Sequence, residues 1–467
     1  MELAIKHKQK GKVFCLTPII AELSENIQIQ SRINGFFKRF NVKECLKEAR
    51  IKKLNGYSIV AVVQFLVLLV FTQKNFYVFL QSNQSKEFAK DVIYRFLNNP
   101  LYDWRRFLLM FGAGIVNNFL NPLTKPERIK ALIVDDSLYS RNRSKKVELL
   151  ARVFDHVTRR YVRGFRKLTV GWSDGASFVP LAFALLSSNK PKHRLYEQGP
   201  EVPAGSPGAE RRGEAVLKAT DVFVNLLDEI MTYTSAFQYV LFDSWFSWPA
   251  VIQAIKTRQR EAICMLKDMQ NIFYGYNGRF YRLSDLYAVV TKRKGDIIAS
   301  VIVDYYGLSV RIVFVRNRAN KREWLALLST NTELTEEEII RIYGMRWDIE
   351  VYFKMCKSFL GLSKEFQVRD YDAMVAHTTL VCVRYLLLSI ENRESKDDRS
   401  WGGIFYEMCE EVENISFAQA FVILLDLFTQ VLRDKLYLPD NILEEILDSF
   451  MDSLPVFLKK RLFARAA

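Results

Sequence analysis

Lys130–Ser140 reads KALIVDDSLYS: an apolar run, Ala131–Val134, leads straight into two acids. A short apolar run bounded in this way is the pattern of a buried strand. The same pattern recurs at 238–247, QYVLFDSWFS, where the run ends at Asp243. Carboxylates at the ends of buried strands are costly unless they are hydrogen-bonded, paired or bound to a cation. Between these two stretches, FRKLTVGWSDGASFVPLAFALLSS (165–188) predicts two strands around an Asp174-Gly175 turn, a strong hairpin signal. EAVLKATDVFVNLLDEIMTY (214–233) predicts an amphipathic helix. After the second acid come a helix, PAVIQAIKTRQ, and a strand, EAICML. Strand, hairpin, helix, strand, helix, strand is the order of a mixed α/β sheet flanked by helices.

Outward from this core the pattern changes twice. Residues 1–125 read as helical, with basic residues studding the polar faces, and Asn121-Pro122 and Lys125-Pro126 close the region. Residues 267–333 read as β-rich: FYGYNGRFY carries an Asn277-Gly278 hairpin, and IIASVIVDYY, LSVRIVFVRN and EWLALLST alternate like strands. A helix is predicted over 335–361, with Thr335 as N-cap and acids in its first turn. The expected organisation is a helical N-terminal domain over 1–125, then a catalytic core over 126–266. A β-rich insertion over 267–333 follows, then the rest of the core over 334–395 and a helical C-terminal region over 396–467.

The chain has 467 residues, 49% of them apolar, and a net charge of +15. That suits a folded protein with a polyanionic partner, nucleic acid before an anionic membrane surface. The apolar run Ile59–Phe71 is interrupted by Gln64 and is shorter than the roughly 20 residues of a membrane span, so it reads as a buried helix. The six cysteines form no C-x-x-C pair, which leaves neither a zinc ribbon nor a disulfide framework and favours reduced thiols in the cytoplasm. The basic start, MELAIKHKQKGK, is not followed by a clean apolar stretch and cleavage site, so no signal peptide is expected.

The 335–361 helix carries the densest chemistry. Ile342, Met345, Ile349, Phe353, Cys356 and Leu360 recur at three- and four-residue steps and form one apolar stripe. Tyr343, Arg346, Glu350 and Lys357 fall on another face, within an arc of roughly 60° on a continuous helix. A solvated face with an ordinary Arg–Glu pair explains this arrangement alone. Asp135 and Asp243 change the balance: with Glu350 they would form a hard-oxygen cage suited to Mg²⁺ or Mn²⁺. Asp136 remains an alternative to Asp135, since neighbours on a strand point to opposite faces. Each Asp alone also reads as a strand-end turn cap.

Tyr343, two residues, Arg346, three residues, Glu350, six residues, Lys357 resembles the signature of the DDE transposases of the insertion-sequence-four type. VDDS around Asp135 and VLFDSWFS around Asp243 resemble that family's first and second acid motifs. The resemblance spans about 125–395 and is weak elsewhere. It implies an RNase H-like core in which Asp135, Asp243 and Glu350 hold the metal ions of catalysis. Tyr343, Arg346 and Lys357 would grip DNA phosphates, and Trp324, in the insertion, would stack on a flipped base. It also implies cut-and-paste transposition of a bacterial insertion sequence, through strand cleavage, hairpin formation and strand transfer. The partners would be double-stranded DNA (terminal inverted repeats and target) and a second protomer in the synaptic complex, in the bacterial cytoplasm and nucleoid. Trp324 also reads as a core or edge-strand residue. Ser140–Lys167 is heavily basic and could line the DNA path, with Arg141, Arg143, Lys145 and Lys146 as phosphate contacts. A plain nuclease of the same core, or an inactive DNA-binding derivative, would share many of these features.

Overall fold

Twelve strands join in one continuous mixed sheet in the computed structural model. The structure describes residues 31–52, 58–81, 90–155, 158–197, 199–317, 320, 322–362, 364, 366, 368–394 and 400–463. The basic N-terminal segment lies outside them. The strands are β1 Ala131–Ser140, β2 Leu150–Asp155, β3 Arg160–Ser173, β4 Phe178–Leu186, β5 Arg194–Tyr196, β6 Tyr239–Phe242, β7 Glu261–Leu266, β8 Tyr274–Tyr276, β9 Arg279–Tyr281, β10 Ile297–Tyr305, β11 Leu308–Arg316 and β12 Trp324–Ser329. Their path is β5-β2-β3-β1-β6-β7-β12-β11-β10-β8-β9, with β4 paired to β3. β1, β6 and β7 run parallel, and β3 runs antiparallel to β1. This is the expected mixed α/β sheet, flanked by helices and followed by a helical C-terminal region.

The parallel strands are short and apolar because helices cover them. Ala131–Val134 and Tyr239–Phe242 are buried throughout. Helix Ala219–Tyr233 turns Val222, Phe223, Leu226, Leu227 and Ile230 inward. Helix Tyr371–Glu394 is buried over nearly its whole length and packs on β4. The two hairpin signals work as their residues demand. Asn277 and Gly278 both have positive φ, 49° and 76°, as a tight hairpin turn requires. At the other turn Gly175 has φ 77°. The fully buried Asp174 carboxylate accepts from the backbone N–H groups of Ala176 (3.0 Å) and Ser177 (2.9 Å), from Thr124 Oγ1 (2.7 Å) and from Arg393 (3.1 Å).

Three elements differ from the sequence reading. The basic connection after β1 contains β2 and the first half of β3, whose arginines project from a hairpin instead of a loop. The stretch ahead of the predicted 214–233 helix ends in a helix of its own, Pro207–Glu214, capped by the Ser206 side chain on the Ala209 N–H. The 335–361 helix is two helices, Glu336–Gly344 and Trp347–Ser358, with a turn at Met345–Arg346. Thr335 and Glu338 form a reciprocal capping box at the start of the first.

The chain divides into two compact units, one of 1–44, 53–94 and 395–467, the other of 45–52 and 95–394. The second holds the sheet, and with it helix Trp104–Ile115, which packs on β4. In the first, Arg32 pairs with Glu407 and Glu411, and Phe71 packs on Phe405. The Ile59–Phe71 run is a mainly buried helix, Ile59–Leu68, continued by a tighter turn. By length and composition, two other helices are apolar enough to cross a membrane: Tyr371–Glu394, whose apolar window is 94% buried, and Trp401–Leu436, whose window is 17% buried.

The buried Asp174 carboxylate closes the hairpin turn and pairs with Arg393, so its removal takes away the turn's acceptor and that partner. Asp174→Ala is expected to cost about 3–5 kcal/mol, read as a lowered midpoint in thermal or urea unfolding.

Candidate active site

β1 and β6 lie side by side in register, Val134 beside Phe242. The next residue on each chain is an acid, Asp135 and Asp243. Adjacent strands are roughly 4.8 Å apart, so the register alone sets the two carboxyl groups as neighbours at the carboxyl edge of the parallel strands. Ligand crevices of open α/β sheets form at that edge.

Asp135 and Asp136 part company across the sheet. Asp135 pairs with Thr169 on β3 and accepts a hydrogen bond from Arg346 Nη1 at 2.8 Å. Asp136 pairs instead with the Arg166 guanidinium, which holds both its oxygens. Only Asp135 therefore faces the helix that carries Glu350.

Arg346 occupies the turn between the two helices. One arm of its guanidinium meets Asp135 and the other meets Glu350 one helical turn on. The same guanidinium lies 6.0 Å over the Tyr343 ring. Tyr343, Arg346 and Glu350 are thus brought together beside Asp135, and Asp243 is close enough to be felt electrostatically by both Asp135 and Arg346. Lys357 is not part of this group. It is exposed at the far end of the second helix, where desolvation, then Lys167, lower its ammonium below the usual lysine range.

The acids are held in an unfavourable state. Burial pushes the Asp135 carboxyl up to about 7; Arg346 pulls it down, and the charges of Asp243 and Asp136 push it further up. Burial also raises Asp243, against the N–H of Trp245 and the charge of Arg346. Side chains as they stand form no group of three or more His, Cys, Asp or Glu able to hold a metal ion among the described residues. Two acids are neighbours, and the third reaches them through Arg346. The donor set nevertheless fits a hard divalent cation: carboxylate oxygens, disfavoured as bare charges, with the buried Thr169 hydroxyl, directly across from Asp135, lacking a hydrogen-bond partner among the described residues.

The second helix is seated on the sheet by polar contacts that the sequence did not reveal. Ser173 Oγ donates to Asp348 at 2.6 Å. Lys167, fully buried on β3, donates to the Tyr352 hydroxyl at 2.6 Å, and its ammonium lies 4.6 Å from that ring. The expectation that Ser140–Lys167 lines a DNA path is corrected for three residues. Lys167 is inaccessible, Arg166 is tied to Asp136, and Arg141 is buried, donating to the Tyr139 hydroxyl at 2.8 Å. Arg143, Lys145 and Lys146 are exposed.

Trp324 begins β12, which lies two strands from β6. Its ring stacks on Tyr287 at 4.6 Å and meets Phe314 edge-on at 5.3 Å, so one face is already covered. Three other exposed tryptophans lie close in sequence to site residues: Trp245 and Trp248 after Asp243, and Trp347 after Arg346, 57%, 46% and 65% exposed.

Residues 68–279, which contain both aspartates, match the family described as DDE superfamily endonuclease. Residues 217–387, which contain Asp243, the two helices and Glu350, match the family described as transposase DDE domain. These matches support a DDE transposase. No curated protein matches the chain. Among solved structures, the cryo-EM structure of a piggyBac transposase synaptic complex with hairpin DNA is similar, at 12% identity and a TM-score of 0.43, covering 97% of this chain and 87% of that one.

The raised Asp135 carboxyl has a consequence for the pH dependence of stability. A group whose acid form is favoured on folding lowers stability as pH rises from its ordinary value, 3.8, to about 7. Asp135→Asn removes that penalty. Its melting temperature should exceed the wild type's at pH 8, and the gap should shrink toward pH 4. A gap that does not change with pH would show that Asp135 is not held this way.

Proposed function

We propose that this chain is a cut-and-paste DNA transposase of the insertion-sequence-four type, acting on the ends of a bacterial element. The observation that carries the reading is the register of β1 and β6, which makes Asp135 and Asp243 neighbours, with Arg346, at the start of the helix bearing Glu350, paired to Asp135. Asp135, Asp243 and Glu350 would hold the divalent ions, Mg²⁺ or Mn²⁺. When bound, such ions stabilise the attacking and leaving oxygens of a phosphodiester displacement.

The chain's own residues account for the rest. Arg346 neutralises the acids as they stand, and a guanidinium there is also placed to meet a phosphate of the strand being cut. Tyr343, against that guanidinium, orients it. Lys357 is exposed and supplies a point charge for a phosphate further along the duplex. Trp324, with one face on Tyr287, presents the other to an unpaired base during hairpin formation. Two element ends imply two protomers in the synaptic complex. Exposed Arg143, Lys145 and Lys146 and the helical N-terminal region add sequence-independent affinity for duplex DNA.

Glu350→Gln keeps the shape of the side chain and removes its charge. On a supercoiled plasmid bearing the cognate terminal repeats it should bind the ends normally and lose cleavage by orders of magnitude. Normal cutting by this variant would refute the site. Wild-type cutting of plasmids that lack the repeats would instead favour a plain nuclease.

Lys357→Ala should weaken end binding and lower the slope of log affinity against log salt by about one. An unchanged slope in a titration from low to moderate salt would place Lys357 outside the interface.

A further inference from the structure

The loop after Asp243 is built to hold two indoles in the open. Trp245 donates its backbone N–H to the Asp243 carboxylate at 3.0 Å, which locks the turn. Trp248 donates its indole N–H to the Trp245 carbonyl at 3.1 Å and its backbone N–H to the Phe246 carbonyl at 2.8 Å. Phe246, between them, is fully buried and packs on Phe223 at 5.9 Å. The loop is therefore anchored by its middle residue while its flanking tryptophans stay 57% and 46% exposed. Among the described residues no aromatic ring packs on either indole, whereas Trp324 has one face on Tyr287.

The β-rich insertion reaches the same loop. The Tyr305 hydroxyl donates to the Ser247 carbonyl at 3.3 Å, and Gln253 donates to the Tyr306 carbonyl at 3.0 Å. Tyr306, at the tip of the β10–β11 hairpin, is 45% exposed and donates to the Asn271 carbonyl at 3.3 Å. Asp243, Trp245, Trp248 and Tyr306 thus form a rigid sequence of groups from an acid to exposed aromatic rings, on elements tied to one another.

Exposed indoles on a pinned loop lose little entropy when a flat ligand stacks on them. Next to acids that act on a DNA strand, the flat ligand is a nucleobase, and only an unpaired base offers its face. We propose that Trp245, with Trp248 and Tyr306, is a stacking platform for unpaired bases of the strand entering the site. It would be distinct from Trp324 and used whenever that strand is frayed or single. The inference rests on the transposase reading above.

The test measures fluorescence anisotropy with the full chain, using labelled dT20 and a labelled 20-base-pair mixed-sequence duplex. Trp245→Ala should weaken dT20 binding about 5- to 150-fold, the range for one lost base–aromatic stack. Duplex binding should stay within about twofold, and the melting temperature should be unchanged. Trp245→Phe should retain most of the dT20 affinity, and Trp248→Ala should fall between. Equal losses on both ligands, no loss on dT20, or a change in oligomeric state with dT20 binding intact would overturn the platform. A wild type that binds duplex but not dT20 would overturn the platform and leave the transposase reading standing. A wild type that binds neither would overturn both.

Discussion

Two parallel strands in register bring two carboxylates to the same edge, and the chemistry of the protein depends on that crowding. Neither Asp135 nor Asp243 is comfortable there. Burial strips both of water, the charge of Asp243 pushes Asp135 up further, and the charge of Asp136 does the same to Asp243. Such an arrangement is stable only because positive charge is supplied from outside the sheet. In the structure the supplier is Arg346, whose guanidinium spans Asp135 and Glu350. The apolar halves of β1 and β6, closed by helices on the sheet, provide the rigidity that keeps the acids from separating.

The helix that delivers Glu350 is not held by its apolar stripe alone. Ile349, Phe353 and Cys356 bury, as the periodicity implies. The register along β3 is set by Ser173 on Asp348 and by Lys167 on Tyr352. A buried lysine whose ammonium sits among aromatic rings is costly, and its hydrogen bond to Tyr352 has directionality that apolar contacts lack. A slide of the helix by one residue would break both bonds and carry Arg346 and Glu350 away from Asp135. Polar contacts of this sort specify position more than they stabilise.

The insertion extends the sheet instead of hanging from it. β12 pairs with β7, so the strands of 274–329 continue the catalytic sheet without a break. That continuity explains how Trp324 lies only two strands from the acids and how the β10–β11 hairpin reaches the loop after Asp243.

Much of this was legible in the linear order of residues. Apolar runs stopped by acids marked β1 and β6, although β1 does not end at its acids but continues through Asp135 and Asp136 to Ser140 in its pairing with β3. Asp174-Gly175 and Asn277-Gly278 marked their turns, because positive φ and side-chain acceptors are local demands. The spacing of Tyr343, Arg346, Glu350 and Lys357 marked the functional helix, although not its turn at Met345–Arg346, for which Gly344 at the end of the first helix was the local signal. Tertiary structure decided the rest. Which aspartate faces the helix depends on how β1 pairs with β3. Which arginines are free for DNA depends on partners that packing supplies, from Tyr139 for the buried Arg141 to Asp136, 30 residues away, for Arg166. Whether an indole is covered or open depends on the elements packed against it. Local sequence sets backbone preference and amphipathic faces; only the packed chain sets which polar groups find each other, because those partners are distant in sequence and their burial is a property of the whole fold.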